Sequence, residues 1–315
     1  MGKVKNTILI LILVLLCGSL YAVESNSIKH EKWDSSIDQM SVNPVSGNLI
    51  IGLNDGSVKG YNLQTGKWTN LIEPNSILIQ MLIFPNGKNM IIALGNDQIK
   101  LYNFKTKKLL ALPSFLSPVT QMVITPDNSN LIVGMDNGFG CGAIEEYNFS
   151  TNKWKTLHRP DWNSTVNSMV TASDGRLLIV GLSDGSVKLY SFISKRWFEL
   201  HDNSWKESVE KMLLIPGDKT LVVGLEYGSI EEYNLITGKW TELHNDSFLS
   251  GVNDMYYNPK TNKLFVGLSN GELEEYNCNT SKWTLLKKWD YSVLQITMLD
   301  KKYFVGLSDG SINVI

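Results

Sequence analysis

Histidine, aspartate and a large aromatic residue recur together three times, and these are the side chains best suited to chemistry or binding. Each aromatic residue, Trp162, Trp205 or Phe248, stands eight residues after an earlier Trp, and an insertion at 138–142 adds Phe139. Rigid rings anchor a partner and polar neighbours orient it, so the groups predict a surface that contacts a protein or a glycan. Alternatively, the rings cap strand ends and the polar residues serve only their own loops. The candidate binding residues are Trp162, Trp205, Phe248, His158, His201, His244, Asp161, Asp202, Asp246 and Phe139.

The elements that position these groups follow from a pattern repeated seven times. One copy is VGLSDGSVKLY at Val180–Tyr190, and its Gly-Leu element or a close variant recurs at spacings of 41, 41, 47, 43, 43 and 39 residues. A period near 40 residues, built from short strand-like segments, indicates a β-propeller. We therefore expect an all-β fold with seven blades, each a four-stranded antiparallel sheet. Residues 23–315 would form this single domain.

The copy at Val252–Leu286 shows how one blade is built. Its first strand ends at Pro259, its second spans Lys263–Leu268, and a Gly-containing hairpin leads into the third. The third strand ends at Tyr276 and the fourth begins at Lys282. In six copies a Met stands 12 residues before the Gly-Leu element, where we expect it to fill gaps between blades.

The ring must be closed by the N-terminal segment. The last copy stops at Ile315, the position equivalent to Tyr276, and therefore lacks a fourth strand. The segment His30–Ser35 is similar to Gly238–Thr241 and aligns Trp33 with a fourth-strand Trp. We expect this segment to pair with the last blade and to remove two exposed sheet edges.

Metal binding by the three histidines is excluded by their predicted positions. They end outermost strands, and three inter-strand steps of about 4.8 Å place each one far from the ring axis. Equivalent positions in neighbouring blades would then lie well over ~10 Å apart, whereas zinc–nitrogen bonds are about 2.1 Å long. We expect no metal site and no cofactor.

Adjacent glutamates recur on the third strands, and paired carboxylates are the usual catalytic groups of glycosidases. Neighbouring residues of a strand point to opposite faces, so the members of one pair cannot act together. The sequence also lacks a nucleophile elbow, a phosphate loop and Cys/His metal spacing. We therefore assign no catalytic residue. The alternative is a secreted carbohydrate-active hydrolase or lyase with a site at the central channel. The pairs are Glu145-Glu146, Glu231-Glu232 and Glu274-Glu275.

Residues 1–22 have the pattern of a secretory signal peptide. Lys3 and Lys5 precede an apolar run, and small residues lead to a cleavage point after Ala22. The run is shorter than the roughly 20 residues of a spanning helix, so we expect no stable membrane insertion after cleavage. The predicted location is secreted or periplasmic. Lipid attachment at Cys17 is a second option, although Leu16 stands where such signals place a small residue.

The charge balance argues against nucleic acid as a partner. The formal net charge is −2 and the isoelectric point is about 6.1, which gives no basic footprint. We predict a monomeric binding scaffold for a protein or glycan. Its contact face would carry the loops from fourth to first strands and from second to third strands.

Several motifs resemble the WD-repeat propellers. A Pro precedes the second strand, an Asp-Gly hairpin follows it, an aromatic residue ends the third strand, and Thr-Gly-Lys turns stand at 65–67 and 237–239. Tyr147-Asn148 and Tyr233-Asn234 stand where the family has Trp-Asp, and no Gly-His pair precedes the first strand. The stretch Tyr233–Leu243 is also similar to kelch repeats and to sensor-type propellers. The resemblance implies a seven-bladed ring used as a rigid binding platform, and fold alone does not give function.

Overall fold

The structure, a computed structural model, is a ring of seven four-stranded antiparallel sheets. It describes residues 26–28, 33, 35–113, 117–136, 140–244 and 249–315. The predicted signal peptide at 1–22 lies outside these residues. The described residues contain no helix long and apolar enough to cross a membrane.

The predicted fold is confirmed, with one sheet for each sequence copy. Blade 1 consists of β2 (Ile37–Val42), β3 (Leu49–Leu53), β4 (Val58–Asn62) and β5 (Lys67–Ile72), and blade 2 of β6 (Leu78–Ile83), β7 (Asn89–Leu94), β8 (Ile99–Asn103) and β9 (Leu109–Ala111). Blade 3 consists of β10 (Val119–Ile124), β11 (Asn130–Asp136), β12 (Gly142–Asn148) and β13 (Lys153–Trp162), and blade 4 of β14 (Val166–Thr171), β15 (Leu177–Leu182), β16 (Val187–Ser191) and β17 (Arg196–His201). Blade 5 consists of β18 (Val209–Leu214), β19 (Thr220–Leu225), β20 (Ile230–Asn234) and β21 (Lys239–His244), and blade 6 of β22 (Val252–Asn258), β23 (Lys263–Leu268), β24 (Glu272–Asn277) and β25 (Lys282–Lys288). Blade 7 consists of β26 (Val293–Leu299), β27 (Lys302–Leu307), β28 (Ile312–Val314) and β1 (Asn26–Ser27).

The N-terminal strand closes the ring, but an earlier segment than the predicted one forms this strand. β1 pairs with β28 through Asn26 opposite Val314 and Ser27 opposite Asn313. The closing strand therefore precedes the His30–Ser35 segment, of which residues 30–32 and 34 lie outside the described part. Backbone pairing with β28 shows that residues 26–27 form the closing strand. The resemblance of Trp33 to a fourth-strand Trp was therefore misleading.

Each blade packs against the next along a contact that we call a seam. The predicted Met of each first strand is buried in the seam, and Ile296 takes its place in blade 7. Opposite stands the Gly of the repeated Gly-Leu element. A Cβ added at Gly181 would lie 2.3 Å from Val209 Cγ1, and one at Gly224 would lie 2.6 Å from Val252 Cγ1. The repeated Gly therefore marks where the next blade's first strand approaches the backbone too closely for a side chain.

The seam packing makes Gly181→Ala a destabilising change. We expect a loss of about 1–3 kcal/mol in the free energy of unfolding, because the new methyl group overlaps Val209 in a close-packed interior. The measurement is urea unfolding followed by tryptophan fluorescence.

The control is Gly60→Ala, also within a strand, where the new Cβ would find its nearest neighbour, Leu71 Cδ1, at 3.4 Å. This variant should be as stable as the wild type. Equal losses in the two variants would show that close approach does not explain the repeated Gly.

Candidate functional site

The predicted binding residues lie at the ends of the fourth strands, on the side that we call the upper face. This face carries the loops from each fourth strand to the next blade and the hairpins between second and third strands; the opposite side is the lower face. His158 and Trp162 belong to β13, His201 ends β17 and His244 ends β21. The predicted residues Phe139, Asp246 and Phe248 lie outside the described residues.

The structure brings these residues together in small aromatic units that cross seams. In blade 3 the His158 ring stacks on Trp162 with centroids 3.5 Å apart, and Trp162 meets Trp197 of blade 4 edge to face at 4.9 Å. In blade 4 the same arrangement joins His201 to Trp205 at 3.4 Å. Trp205 in turn contacts Trp240 of blade 5 at 4.8 Å. Edge-to-face aromatic pairs stabilise a contact beyond the area they bury.

Trp33 occupies the corresponding place at the seam between blades 7 and 1. Its ring meets Trp68 edge to face, with centroids 5.0 Å apart. This geometry matches that of Trp162 on Trp197, so Trp33 is a cap on blade 1. The fourth-strand position to which the sequence assigned it lies earlier in the chain.

The fourth-strand Trp residues also bond to the preceding blade. The indole Nε1 of Trp197 donates to the carbonyl oxygen of Leu157 at 3.2 Å, and that of Trp240 donates to Leu200 at 2.9 Å. Trp154 and Trp283 make the same kind of bond to Pro113 and Leu243. Each of these Trp side chains therefore seals the outer part of a seam.

These contacts support the interpretation of the aromatic groups as caps. Trp162 and Trp205 are half-buried, with one face on a His and another contact to the next blade. The prediction that a partner touches them stays a prediction. Asp161 and Asp202 are exposed beside them and free to meet solvent.

The electrostatics of the blade 3 unit favour a neutral histidine. Burial lowers the pKa of His158, while the Asp161 carboxylate, with Oδ1 2.7 Å from His158 Nε2, opposes that shift. The three histidines belong to separate blades. Among the described residues, no group of three or more His, Cys, Asp and Glu side chains is arranged to hold a metal ion.

A ring of polar side chains at the innermost strands was missed by the sequence analysis. Each first strand has a β-bulge after its first residue, which disturbs the regular ladder near the axis. In blades 4 and 6 the side chain of the third residue of this strand accepts a hydrogen bond from a backbone N–H of the next blade. Ser168 Oγ accepts from Met212 N at 3.0 Å, and Asp254 Oδ2 accepts from Ile296 N at 2.7 Å.

The only oppositely charged pair in this ring is also engaged. Lys211 Nζ lies 2.8 Å from Asp254 Oδ1, so the two charges neutralise each other near the channel. The signal that the sequence offered was a polar residue immediately before the buried Met of each first strand, or before Ile296 in blade 7. The ring comprises Gln39, Gln80, Gln121, Ser168, Lys211, Asp254 and Gln295.

Exposed apolar side chains form a second feature of the upper face, also missed from sequence. Tyr227, Leu249 and Tyr291 expose 55%, 84% and 50% of their surface. They lie on successive loops of blades 5 to 7. Ser269 N donates to Gly251 O and Ser292 Oγ donates to Ser269 O, which joins the loops of Leu249 and Tyr291. A Cβ added at Gly251 would lie 2.8 Å from Glu226 O, so the Tyr227 hairpin packs against the Leu249 loop. The three side chains therefore stand on one connected loop surface, which we call the blade 5–7 patch.

The glutamate pairs of the third strands do not form a common site, but Glu231 is unusual. Burial, reinforced by the carboxylates of Glu242 and Glu207, raises its pKa to about 7. Glu242 stands directly opposite in β21. In blade 3 the equivalent Glu145 faces Thr156, whose hydroxyl donates to it at 2.7 Å.

Glu231→Gln should stabilise the protein at alkaline pH. The pKa of Glu231 is higher in the folded state than the ordinary 4.5. The contribution of Glu231 to the free energy of unfolding is therefore fully favourable below about pH 4.5 and is lost as the pH rises through about 7. We expect the variant to melt roughly 2 °C higher than the wild type at pH 8 and equally at pH 4.5.

Calorimetry at the two pH values measures this difference, and Glu145→Gln is the matched control. The control should show no gain at pH 8, because its neighbour is Thr156. A pH-independent effect of Glu231→Gln would contradict the assignment.

Comparison with known families agrees with this architecture. The WD40 family model, described as WD domain, G-beta repeat, matches residues 154–191. The matched stretch runs from Trp154 in β13 to the end of β16 at Ser191, which is close to one repeat. A search of curated proteins found no match. The chain is a seven-bladed β-propeller that is similar to the WD-repeat family over one of its repeats.

Proposed function

We propose that this protein is a secreted or periplasmic scaffold that binds another protein through its upper face. WD40 propellers generally mediate protein interactions. The predicted signal peptide at 1–22 supports the location, and the closely packed inner parts of the seams support a rigid platform.

The blade 5–7 patch is the observation that carries this proposal. Interface energy concentrates in a few anchors, among which Tyr is enriched, surrounded by polar residues that exclude water. Tyr227, Leu249 and Tyr291 are exposed on one connected loop surface, and the neighbouring Glu226, Ser269 and Asn270 are exposed polar residues. Three large apolar side chains held this way fit an anchor cluster.

The aromatic caps contribute support to this face. Trp162 and Trp205 are committed to seams and half-buried, so their removal would disturb the fold as well as any binding. The blade 5–7 patch offers a cleaner test, because its side chains project from loops and are exposed.

The test is affinity capture with the triple variant Tyr227→Ser/Leu249→Ser/Tyr291→Ser. Extracts from the envelope and the culture medium are passed over immobilised wild type and variant, and retained proteins are identified by mass spectrometry. We expect a partner retained by the wild type to be reduced at least tenfold on the triple variant.

The matched control is Ile193→Ser/Ile236→Ser, which removes two apolar side chains that are each 71% exposed on the lower face. This control should retain the partner fully. Equal recovery on all three proteins would contradict upper-face binding. Retention of glycans without protein would show that the partner is a glycan and not a protein.

A further inference from the structure

The seam between blades 1 and 2 lacks the Trp that seals the outer part of the four seams between blades 2 and 6. In blades 3 to 6 a fourth-strand Trp stands opposite the third-strand Tyr and bonds to the preceding blade. In blade 2 the residue opposite Tyr102 is Leu109. Leu109 has no donor and is 42% exposed. The outer part of this seam is therefore left unsealed.

The facing wall of blade 1 also lacks a side chain. Gly60 stands in β4 immediately before Tyr61, at the position that blades 2 and 4 fill with Leu101 and Leu189. Blades 3, 5 and 6 place a Glu there. A Cβ at Gly60 would meet Leu71 and Ile50 only at ordinary contact distances. No close approach of backbone requires this Gly, in contrast to the Gly of the Gly-Leu elements.

A cavity of about 700 Å³ lies in the outer part of this seam, beside Gly60. Its apolar walls include Ile50 and Leu71 from blade 1 and Tyr102 and Phe104 from blade 2. It reaches the lower face between the loops that start at Asn43 and Lys105. This volume falls within the range of about 300–1,000 Å³ that is usual for ligand sites. We call this cavity the seam groove.

The rim of the seam groove is positively charged. Lys88, Lys105 and Lys107 line it, and none of its described lining residues is Asp or Glu. None of the three lysines takes part in an ion pair within the described residues. The segment 78–113 that forms blade 2 contains five lysines and one aspartate, whereas the whole chain carries a net charge of −2. Blade 2 therefore carries a local excess of positive charge, and three of its five lysines line the groove.

We propose that the seam groove binds an acidic peptide segment of a protein partner. One large apolar side chain of the peptide enters between Ile50, Leu71 and Phe104. Flanking carboxylates meet Lys88, Lys105 and Lys107. The lysines come from two separate loops, between β6 and β7 and between β8 and β9, which suits a segment with several carboxylates better than a single small anion. This site is separate from the blade 5–7 patch and goes beyond the proposed function.

Peptide selection tests this proposal directly. A phage-displayed library of random 12-residue peptides is selected on the protein, and the dissociation constants of enriched peptides are measured by fluorescence anisotropy. We expect enriched peptides to carry several Asp or Glu residues and at least one large apolar residue. Enrichment of no peptide, or of peptides without acidic residues, would overturn the proposal.

Gly60→Leu is the blocking variant. It places a side chain in the groove at a position where Leu101 and Leu189 stand in other blades, and its Cβ meets no atom closer than 3.4 Å. Binding of the enriched peptides should weaken at least tenfold. Unchanged binding to a folded Gly60→Leu protein would show that the peptides bind elsewhere.

Charge reversal gives a second, independent comparison. Lys107→Glu should weaken peptide binding at least tenfold, and Lys195→Glu should leave it unchanged. The two lysines occupy the same position in the turns of blades 2 and 4, each with φ of 56°, so the substitutions are matched in backbone strain. Equal effects of the two would contradict the groove, even if Gly60→Leu failed to fold.

The result is distinguishable from that of upper-face binding. The triple variant of the blade 5–7 patch should bind the selected peptides normally, because that patch lies on the opposite face. Loss of peptide binding in that variant would assign the peptides to the upper face and remove the seam groove as a site.

Discussion

The close approach of one blade's first strand to a Gly in the preceding blade is the constraint on which this structure depends. At Gly134, Gly181, Gly224 and Gly267 a Cβ would lie 2.3 to 2.6 Å from a Val of the next blade. The same relation at Gly306, where the neighbours are Met40 and Ile37, joins the last blade to the first. A ring forms because this contact repeats until it closes, and dense packing in the inner part of the seams gives a rigid platform. Blade 2 shows the limit of the rule, since it accommodates Ala93 at this position.

Three devices complete a seam at different distances from the axis. Near the axis, polar side chains such as Ser168 and Asp254 accept from backbone N–H groups of the next blade. In the middle, the buried Met packs on the Gly. At the outside, a Trp bonds to the preceding blade and a His-supported ring caps it. The seam between blades 1 and 2 keeps the inner packing and lacks the outer Trp, and a cavity lies beside Gly60 in its outer part.

The architecture could be predicted because it depends on local sequence signals that are repeated along the chain. Hairpin glycines, the buried Met and the third-strand Tyr recur in register, so blade number, strand number and closure by the N-terminus followed from sequence. The register of closure did not. Trp33 resembles a fourth-strand Trp, but only backbone pairing of β1 with β28 shows that it is a cap on Trp68.

The candidate sites were less accessible to sequence reasoning, because they depend on exposure and on what is missing. The aromatic groups around Trp162 and Trp205 stood out by repetition, and repetition reflects their role in seams. The exposed Tyr227, Leu249 and Tyr291 repeat no pattern, and neither do Gly60 and Leu109. A deviation from a repeat gains meaning only when the neighbours across the seam are known.

Amide hydrogen exchange of the unliganded protein tests the central claim most directly, since local opening reports how well each part of a structure is held. The outer strands of blades 2, 4 and 5 occupy equivalent positions and differ in whether a Trp seals them. If the seam between blades 1 and 2 is open, β9 (Leu109–Ala111) exchanges at least tenfold faster than β17 and β21, and Gly60→Leu slows it. Equal protection of the three strands would contradict an open seam and the binding groove inferred from it.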